Sequence, residues 1–417
     1  MSSGWYTKKL SEVCQIKPPK KEAKEVLTEY DLVSFVPMND LGIRQKKLIP
    51  KKEKALGKVV GSYTYFANND VLLAKITPCY ENGKLGIAQG LKNGIGFGSS
   101  EYIVLRSKGD IDPEYLFYYL SQDSFRHAGA KVMTGAVGHK RVPKEYIENY
   151  QIPLPRLEMQ KRIVAILDEA FAGIDTAIAN TEKNLANARE LFESYLNSVF
   201  TQRGKDWIDQ KFGDVCDFVR GPFGGSLKKS CFVEEGVAVY EQQHAINDQF
   251  ESIRYFIDDK KFQEMMRFEL LPGDLIMSCS GTMGRVAIVP DTIRRGIINQ
   301  ALLKLTPSSK VDAQYLRLWM ESNSFMEEIE KYSQGAAIKN VASVKVLKEI
   351  KVPCPELSKQ KEIVSKVLNY REQTNQLESI YQQKLKSLNE LKQSLLQKAF
   401  SGKLTADKNN LMDNAVA

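Results

Sequence analysis

The chain has 417 residues, of which 43% are hydrophobic, and a formal net charge of +8. This length suggests two to four domains, and no apolar run approaches the roughly 20 residues of a membrane-spanning helix, so no membrane partner is expected. The six cysteines form no C-x-x-C pair and the three histidines lack ligand spacing, so we expect reduced thiols and no metal site. The N-terminal "MSSGWYTKKLSEV" has no apolar signal region, which predicts a cytoplasmic protein.

Residues 1–155 predict a basic globular domain. They contain 23 Lys and Arg against 16 Asp and Glu, and such an excess suits a polyanion because phosphate contacts supply most non-specific nucleic-acid affinity. Short β-type runs, "DVLLAKI" (70–76) and "SEYIVL" (100–105), are separated by turns rich in Gly, Asn and Pro. A helical stretch follows from Tyr115 to Ser121, so the domain is predicted to mix strands and helices.

Residues 156–203 predict one long helix. The preceding "IPLPRLEMQKRIV" (152–164) ends a strand and begins a helix, because proline removes a ladder donor and is tolerated in a first helical turn. At about 1.5 Å per residue, roughly 44 residues form a rod of about 65 Å, whose apolar stripe needs a partner. The stripe steps by 3 and 4 through Val164, Leu167, Phe171, Ile174, Ile178, Thr181, Leu185, Ala188, Phe192, Tyr195 and Val199.

The second half of the chain repeats this plan. "VPCPELSKQKEIV" (352–364) matches 152–164, and "DAQYLRLWMESNSF" (312–325) matches "DPEYLFYYLSQDSF" (112–125), both with a shift of 200 residues. The repeat predicts a second globular domain over 204–355, with 20 basic against 21 acidic residues, a second helix over 356–403 and a flexible tail over 404–417. The second stripe runs through Ile363, Val367, Tyr370, Thr374, Leu377, Tyr381, Leu388, Leu391 and Leu395, with Lys384 as a polar insertion.

The two helices are predicted to pair with each other. The first leaves globule 1 and the second leaves globule 2, so burying both stripes requires an antiparallel arrangement. The predicted fold is therefore α+β, with two mixed α/β domains separated by a long antiparallel two-helix coiled coil in a pseudo-two-fold tandem repeat. Two similar globules held apart suit two half-sites on a DNA duplex, and their divergence predicts that the half-sites differ.

These features resemble the specificity subunit of Type I restriction-modification enzymes over essentially the whole chain. The stretches that carry the resemblance are "DVLLAKITPCYENGKLGIA" (70–88), "GFGSSEYIVL" (96–105), "GPFGGSLKK" (221–229), "GDLIMSCSGTMGRVAIV" (273–289), the doubled Pro-x-Pro-x-Leu helix start and "LLQKAFSGKL" (395–404). In the first copy, "SVFTQRGKDW" (198–207) departs from the "AFSGKL" ending of the second.

The resemblance implies that the two globules are target-recognition domains, each reading one half of a bipartite, asymmetric site on double-stranded DNA. It implies that the helices set the spacer and dock two copies of an adenine methyltransferase subunit, and that motor-nuclease subunits complete the complex. S-adenosylmethionine and, for restriction, ATP and Mg would then bind to partner subunits, with no cofactor bound by this chain.

Catalysis by this chain is not expected from its own residues. "GIGFG" (94–98) imitates a cofactor loop, but a β-like run rather than a helix follows it, so we interpret it as a turn. A phosphate-binding G-x-x-x-x-G-K-[ST] loop is absent, as is the Asn/Asp-Pro-Pro-aromatic signature of adenine methylation. We therefore predict a non-catalytic, DNA-binding chain.

Candidate DNA contacts lie in basic and glycine-rich loops, since Arg, Lys, Asn and Gln are the side chains that pair with base edges and phosphates. Each one alone is equally an ordinary solvated charge. "EQQHAIN" (241–247) suits adenine edges or ordinary surface polarity. The candidates are Lys20, Lys21, Arg44, Lys46, Lys47, His139, Lys140 and Arg141 in the first domain, and Arg220, Lys228, Lys229, Ser278, Ser280, Thr282, Arg285, Lys339 and Asn340 in the second.

Two other functions fit the same features. A stand-alone bipartite DNA-binding regulator would share the basic loops and the helices but would have no methylation partner. A coiled-coil scaffold protein would share the helices but would not bind DNA. Co-purification with a methyltransferase distinguishes the first alternative, and a mobility shift with mixed duplexes distinguishes the second.

Overall fold

The computed structural model describes residues 5–223, 225–331 and 343–405. They form two compact units, the first running to Thr181 and resuming from Gln383, the second running from Glu182 to Gln382. Each unit contains a globule that mixes strands and helices, together with part of each of two long helices. The predicted α+β class is therefore confirmed. The predicted division into five segments stays a prediction, and most of the predicted tail (406–417) lies outside the described residues.

The globule of unit 1 contains the first eleven strands and six helices. The strands are β1 (Tyr6–Lys9), β2 (Cys14–Ile16), β3 (Leu32–Val36), β4 (Lys47–Leu48), β5 (Lys52–Ala55), β6 (Thr64–Ala67), β7 (Val71–Ala74), β8 (Leu85–Ala88), β9 (Ile95–Gly98), β10 (Tyr102–Ser107) and β11 (Gln151–Leu154). The helices are α1 (Leu10–Val13), α2 (Lys21–Val26), α3 (Leu56–Val59), α4 (Pro113–Leu120), α5 (Asp123–Lys131) and α6 (Lys144–Asn149).

Three sheets organise this globule in the part of the chain that the structure describes. Their orders are β2-β10-β7-β8-β4, β5-β3-β9-β6 and β1-β11. The run "DVLLAKI" forms the centre of the first sheet, because all four residues of β7 are buried. Helix α4 has Asp112 as its N-cap, whose side chain accepts hydrogen bonds from two backbone N–H groups of the first turn.

The globule of unit 2 follows the same plan with fewer described strands. The strands are β12 (Ile208–Lys211), β13 (Cys216–Arg220), β14 (Val237–Tyr240), β15 (Tyr255–Ile257), β16 (Leu275–Ser278), β17 (Val286–Ile288), β18 (Gly296–Ile298), β19 (Leu302–Pro307) and β20 (Lys351–Cys354). They form the sheets β13-β19-β16-β17, β15-β14-β18 and β12-β20. After the long helix α7 (Leu157–Thr201), the helices are α8 (Phe212–Val215), α9 (Gln242–Asn247), α10 (Asp259–Glu264), α11 (Ala313–Glu321), α12 (Asn323–Lys331) and α13 (Val344–Glu349).

That long helix, α7, spans Leu157–Thr201, and its repeat, α14, spans Leu357–Phe400. Each follows the strand that carries the Pro-x-Pro element, as the sequence predicts. The junction depends on a buried glutamine in the first helical turn. Gln160 accepts a hydrogen bond from Asp112 N–H at 2.8 Å and donates to the carbonyls of Asp110 and Pro155 at 3.0 and 2.8 Å. Gln360 repeats these bonds with Asp312, Lys310 and Pro355 at 2.8, 3.1 and 2.8 Å.

Within unit 2 the two helices run antiparallel. Arg189 of α7 pairs with Glu378 of α14 at 2.8 Å, and further along α7 the ring of Tyr195 lies 4.7 Å from that of Tyr370. Rising numbers on one helix thus face falling numbers on the other, which confirms the predicted direction. The shared core of this unit contains Leu196, Phe200, Ile363 and Val367.

Within unit 1 the end of α14 packs on the start of α7 and on the globule. Leu396 and Phe400 of α14 share a core with Leu167 of α7. Lys392 forms an ion pair with Asp175, and its side chain is mostly buried. This part of α14 therefore belongs to the core of the first globule rather than to the second.

The predicted apolar stripe is accurate on α7 and partly wrong on α14. On α7 every predicted position is buried or partly buried. On α14, Leu377 and Leu391 are 44% and 46% exposed, while Lys392 lies 5.1 Å from the ring of Phe171. The ammonium of Lys392 is held between the ring face of Phe171 and the carboxylate of Asp175, so a lysine takes a partly buried position where the pattern predicted leucine.

Candidate nucleic-acid interface

The clearest exposed loop of unit 1 is residues 134–141, "TGAVGHKR". Thr134 and Arg141 close it by exchanging two backbone hydrogen bonds of 3.0 and 2.8 Å. Gly135 and Gly138 have φ values of +124° and +80°, which side chains rarely adopt, so the two glycines allow the tight path. Val137 at the tip is 94% exposed, and a loop closed by its own backbone bonds can present the side chains next to that tip to a large ligand.

His139, Lys140 and Arg141 are all exposed on this loop. Arg141 is braced by Glu101, since its Nε and Nη2 donate to the two carboxylate oxygens at 3.0 and 2.8 Å. These bonds hold the pKa of Glu101 below its usual value. The side chains of His139 and Lys140 are therefore exposed on the loop, whereas Arg141 is partly used to hold the loop in place.

The basic run at 44–47 is less available than its sequence suggests. Lys46 Nζ contacts Asp168 of α7 at 2.6 Å and Glu114 of α4 at 2.8 Å. Arg44 forms an ion pair with Asp123 of α5. These two cations hold the loop against helices of the same unit.

The other three candidates of this domain differ in exposure. Lys21 and Lys47 are exposed. Lys20 is partly buried and donates to the carbonyls of Val60 and Gly61 at 2.9 and 2.8 Å.

In unit 2 three exposed cations flank the glycine-rich loop after β13: Arg220 ends that strand, and Lys228 and Lys229 follow the loop. Phe223 within it is 92% exposed. A cavity of about 500 Å³ beside the loop brings Arg220 together with Arg267 and several polar or aromatic groups. The sequence prediction missed Arg267, because it lies 47 residues further along the chain in a stretch with no loop signal, and only the tertiary fold places it here.

The loop between β16 and β17 is shaped by its own hydrogen bonds. Ser278 is fully buried, and its Oγ accepts the backbone N–H of Arg285 at 3.0 Å. Ser280 is partly buried, and its carbonyl accepts from Gln242 Nε2 at 2.6 Å. Thr282 and Arg285 are exposed. The structure therefore presents two of the four predicted residues to solvent and uses Ser278 to position the loop.

The stretch "EQQHAIN" is buried only at His244 and Ala245, whereas Gln243, Ile246 and Asn247 are exposed. His244 is fully buried, and its two ring nitrogens lie 2.8 and 3.0 Å from Glu241 N and Ser252 O. Its ring packs 5.1 Å from that of Tyr240. This histidine is a core residue, and Gln242 braces the neighbouring loop. Lys339 and Asn340, the remaining candidates, lie outside the described residues.

The possible metal ligands and the thiols can be placed in the described part of the chain. Over residues 5–223, 225–331 and 343–405, no group of three or more His, Cys, Asp and Glu is arranged to hold a metal ion. All six cysteines are free thiols, and burial raises the pKa of Cys279 to about 11, which disfavours a reactive thiolate at neutral pH. The helices that are described include none long and apolar enough to cross a membrane.

Comparison with known proteins gives a consistent result along the chain. The sequence model of the family described as "Type I restriction modification DNA specificity domain" matches residues 2–187 and 204–387. The chain is 34% identical over 218 residues to the Type I restriction enzyme EcoAI specificity subunit of Escherichia coli, an alignment that covers 52% of this chain and 36% of that protein. The EcoEI specificity subunit of the same organism is 31% identical over 219 residues, with coverage of 52% and 36%. The alignments thus span little more than a third of these relatives.

A third relative and two solved structures cover more. The Type I restriction enzyme MjaVIII specificity subunit of Methanocaldococcus jannaschii is 26% identical over 295 residues, covering 65% of this chain and 67% of that protein. A chain solved under the description "Structural basis underlying complex assembly and conformational transition of the type I R-M system" has a TM-score of 0.82 at 21% identity, covering 97% of this chain and 99% of its own. The HsdS subunit from Thermoanaerobacter tengcongensis has a TM-score of 0.63 at 20% identity, covering 97% and 98%. At these identities the two structures support the fold.

Proposed function

The chain belongs to the family of Type I restriction-modification DNA specificity domains, and from that premise we propose that each of its globules reads one half of a bipartite, asymmetric DNA site. The observation that carries the proposal is that each unit presents exposed cations beside glycines that its backbone requires. In unit 1 these are the cations of the 134–141 loop, where Gly135 and Gly138 have positive φ. In unit 2 they are Arg220, Lys228 and Lys229, where a Cβ at Gly221 would lie 1.9 Å from the carbonyl oxygen of Asn299. Exposed Lys and Arg supply phosphate affinity, and loops of fixed shape can direct a few side chains to base edges.

Among the candidates, the proposal assigns direct DNA contact to the exposed side chains. These are Lys21, Lys47, His139, Lys140, Arg220, Lys228, Lys229, Thr282 and Arg285. We assign a positioning role to Lys46, Arg44 and Ser278, because their bonds to neighbouring groups hold the proposed DNA-binding loops in place.

We further propose that the long helices dock two adenine methyltransferase subunits and set the spacer between the half-sites, while motor-nuclease subunits supply translocation and cleavage. Docking is supported by large apolar side chains left in solvent along the helices. Ile380 and Leu191 are each 59% exposed, and Leu377 is 44% exposed. Leu377 and Ile380 are three residues apart and lie on one face of α14, which gives a partner helix or subunit an apolar contact and supports the complex over a stand-alone regulator.

The experiment exchanges one globule and maps methylation. Residues 207–350 are replaced with the corresponding domain of another member of the family, and modified adenines are sequenced in a host that carries the methyltransferase partner. We expect one half of the recognised site to change while the other half and the spacer stay the same. A change in both halves contradicts independent reading, and a failure of the parent chain to direct any methylation contradicts the proposal as a whole.

A further inference from the structure

Unit 1 contains a basic cavity away from the candidate contacts at 44–47. Its volume is about 320 Å³, and it lies among residues from β2, β6, β10 and the start of α6. Five cations line it: Lys17, Lys20, Lys75, Arg141 and Lys144. Among the described residues that line it, none is an aspartate or a glutamate. A cavity lined by five basic side chains and no acidic side chain favours the binding of an anion.

Only part of this charge is balanced by neighbours outside the cavity. Arg141 and Lys75 share Glu101, at 2.8 and 3.9 Å, and Lys144 pairs with Glu148 at 2.6 Å. Two carboxylates thus face three of the cations. Lys17 and Lys20 add two further positive charges, and Lys20 is held by backbone carbonyls rather than by an acid.

The environment of Lys20 is electrostatically unfavourable without a ligand. Burial lowers its pKa, and repulsion from Lys17 and Lys24 lowers it further. Lys17 itself is held in the left-handed region at φ +60°, a conformation that costs free energy in a residue other than glycine. A bound anion would offset the repulsion between these ammonium groups.

We propose that this basic cavity binds a phosphate group carried by a nucleotide, and that the backbone of bound DNA supplies it. Ser62, Thr64 and Ser100 line it together with the cations, and hydroxyls and ammonium groups are common donors to phosphate oxygens. At about 30 Å³ per water, the cavity has room for the sugar as well as the phosphate.

The cavity adjoins the 134–141 loop, which indicates that its phosphate comes from DNA bound to that loop. Arg141 closes that loop and also lines the cavity, so DNA held by His139 and Lys140 would pass close to the opening. This part of the inference rests on the proposed function, whereas phosphate binding by the cavity does not.

The test removes two charges without changing the backbone. The cavity variant is the full chain with Lys17→Gln and Lys144→Gln. It is tested together with any methyltransferase that co-purifies with it. Glutamine at position 17 meets the same backbone strain as lysine. The matched control is Lys8→Gln with Lys108→Gln, two exposed lysines of the same unit that do not line the cavity. Thermal unfolding verifies that all three proteins are folded.

Binding of a target duplex and an unrelated duplex is measured by fluorescence anisotropy from low to high salt. We expect the cavity variant to weaken both duplexes by the same factor and to make the slope of log K against log salt shallower by about 1 to 2, the contribution of one or two phosphate contacts. The control variant should keep the parent slope.

A second arm uses deoxyadenosine 5′-monophosphate at millimolar concentration and measures its effect on the unfolding temperature. In one outcome the nucleotide stabilises the parent but not the cavity variant while the DNA salt slope is the same for both. That result supports a phosphate site in the cavity and contradicts DNA as the source of the phosphate. If the salt slope does not change and the nucleotide has no effect on the unfolding temperature, the proposal is overturned. If the parent binds no duplex at all, the proposed function fails and the nucleotide arm alone decides the cavity.

Discussion

Arg285 and the pair Lys228 and Lys229 are exposed on different loops of unit 2 and should act on DNA differently. Arg285 follows two glycines, and its own backbone N–H is fixed by the buried Ser278, so its Cα has a defined position, and a guanidinium suits bidentate contact with a base edge. Lys228 and Lys229 carry point charges on flexible stems. We predict that Arg285→Ala relaxes discrimination at one position of one half-site, at a cost of about 1–3 kcal/mol.

The double variant Lys228→Ala with Lys229→Ala should instead weaken all duplexes alike and lower the salt slope by about 1 to 2. Both variants are compared by anisotropy on a target duplex and on duplexes with single base changes. If both variants lose the same affinity for every duplex, whatever its sequence, then Arg285 does not read a base and the distinction from phosphate contact fails.

Gln360 is fully buried and satisfies three backbone groups at the junction between the second globule and α14. Alanine would leave one N–H and two carbonyls without their partner, and each unsatisfied buried group costs about 1–3 kcal/mol, partly relieved by water. We predict that Gln360→Ala lowers the free energy of unfolding by about 2–4 kcal/mol, measured by urea denaturation.

The control is Gln376→Ala, an exposed glutamine on the same helix. It should leave the free energy of unfolding within about 0.5 kcal/mol of the parent. Equal effects of the two substitutions would mean that the repeated glutamine does not stabilise the junction. Gln160 should behave like Gln360, since its bonds are the same.

Among elements, α14 exposes apolar side chains that its own unit does not cover. Leu377 and Ile380 are 44% and 59% exposed, and glutamine replaces either with little loss of helix propensity. We predict that Leu377→Gln with Ile380→Gln leaves the stability of the chain almost unchanged but reduces the methyltransferase that co-purifies with it. Pull-down yield, with circular dichroism as the folding check, measures this.

Gln373→Ala with Gln376→Ala is the matched control, since it changes exposed residues at the same spacing on the same helix. It should retain the partner. Retention of the partner by both variants would argue that docking uses another surface.

The long helices and the strand exits were predictable because their signals are local and repeated. A Pro-x-Pro element, a Gln-Lys pair five residues after its second proline and a stripe with helical period recur after 200 residues, and the structure begins α7 and α14 at Leu157 and Leu357. The position of Lys392 inside the stripe was not predictable, because it depends on the ring of Phe171 and the carboxylate of Asp175 far away in the sequence.

The candidate interface was predictable as loops but not residue by residue. Glycines and basic residues marked 138–141 and the cations Arg220, Lys228 and Lys229 beside a glycine-rich stretch, and the structure exposes the side chains of His139, Lys140, Arg141 and these three cations. Sequence gives no signal for the acid that a cation meets, so the pairing of Lys46 with Asp168 across 122 residues was missed. The burial of His244 was missed for the same reason, since its partner Ser252 and the ring of Tyr240 are brought together by the fold.

At the scale of the whole molecule, the repeat bears on how far apart two half-sites lie. If the helices set the spacer, as proposed, then their length should set the number of base pairs between the half-sites. Lengthening a pair of antiparallel helices requires whole heptads in both, because the apolar frame returns every seven residues. We predict that seven-residue duplications near Leu185 of α7 and near Tyr381 of α14 preserve the stripe and add roughly 10 Å of helix.

At about 3.4 Å per base pair along one strand, that length corresponds to up to about three additional pairs in the spacer, while both half-sequences stay unchanged. Methylation mapping of the variant beside the parent measures this. Four-residue duplications at the same places are the control, because they rotate the stripe out of its frame and should abolish methylation. A folded, active seven-residue variant with the parent spacer would contradict the ruler and leave the helices with docking alone, since the stripe would then be preserved without its length having any effect on the site.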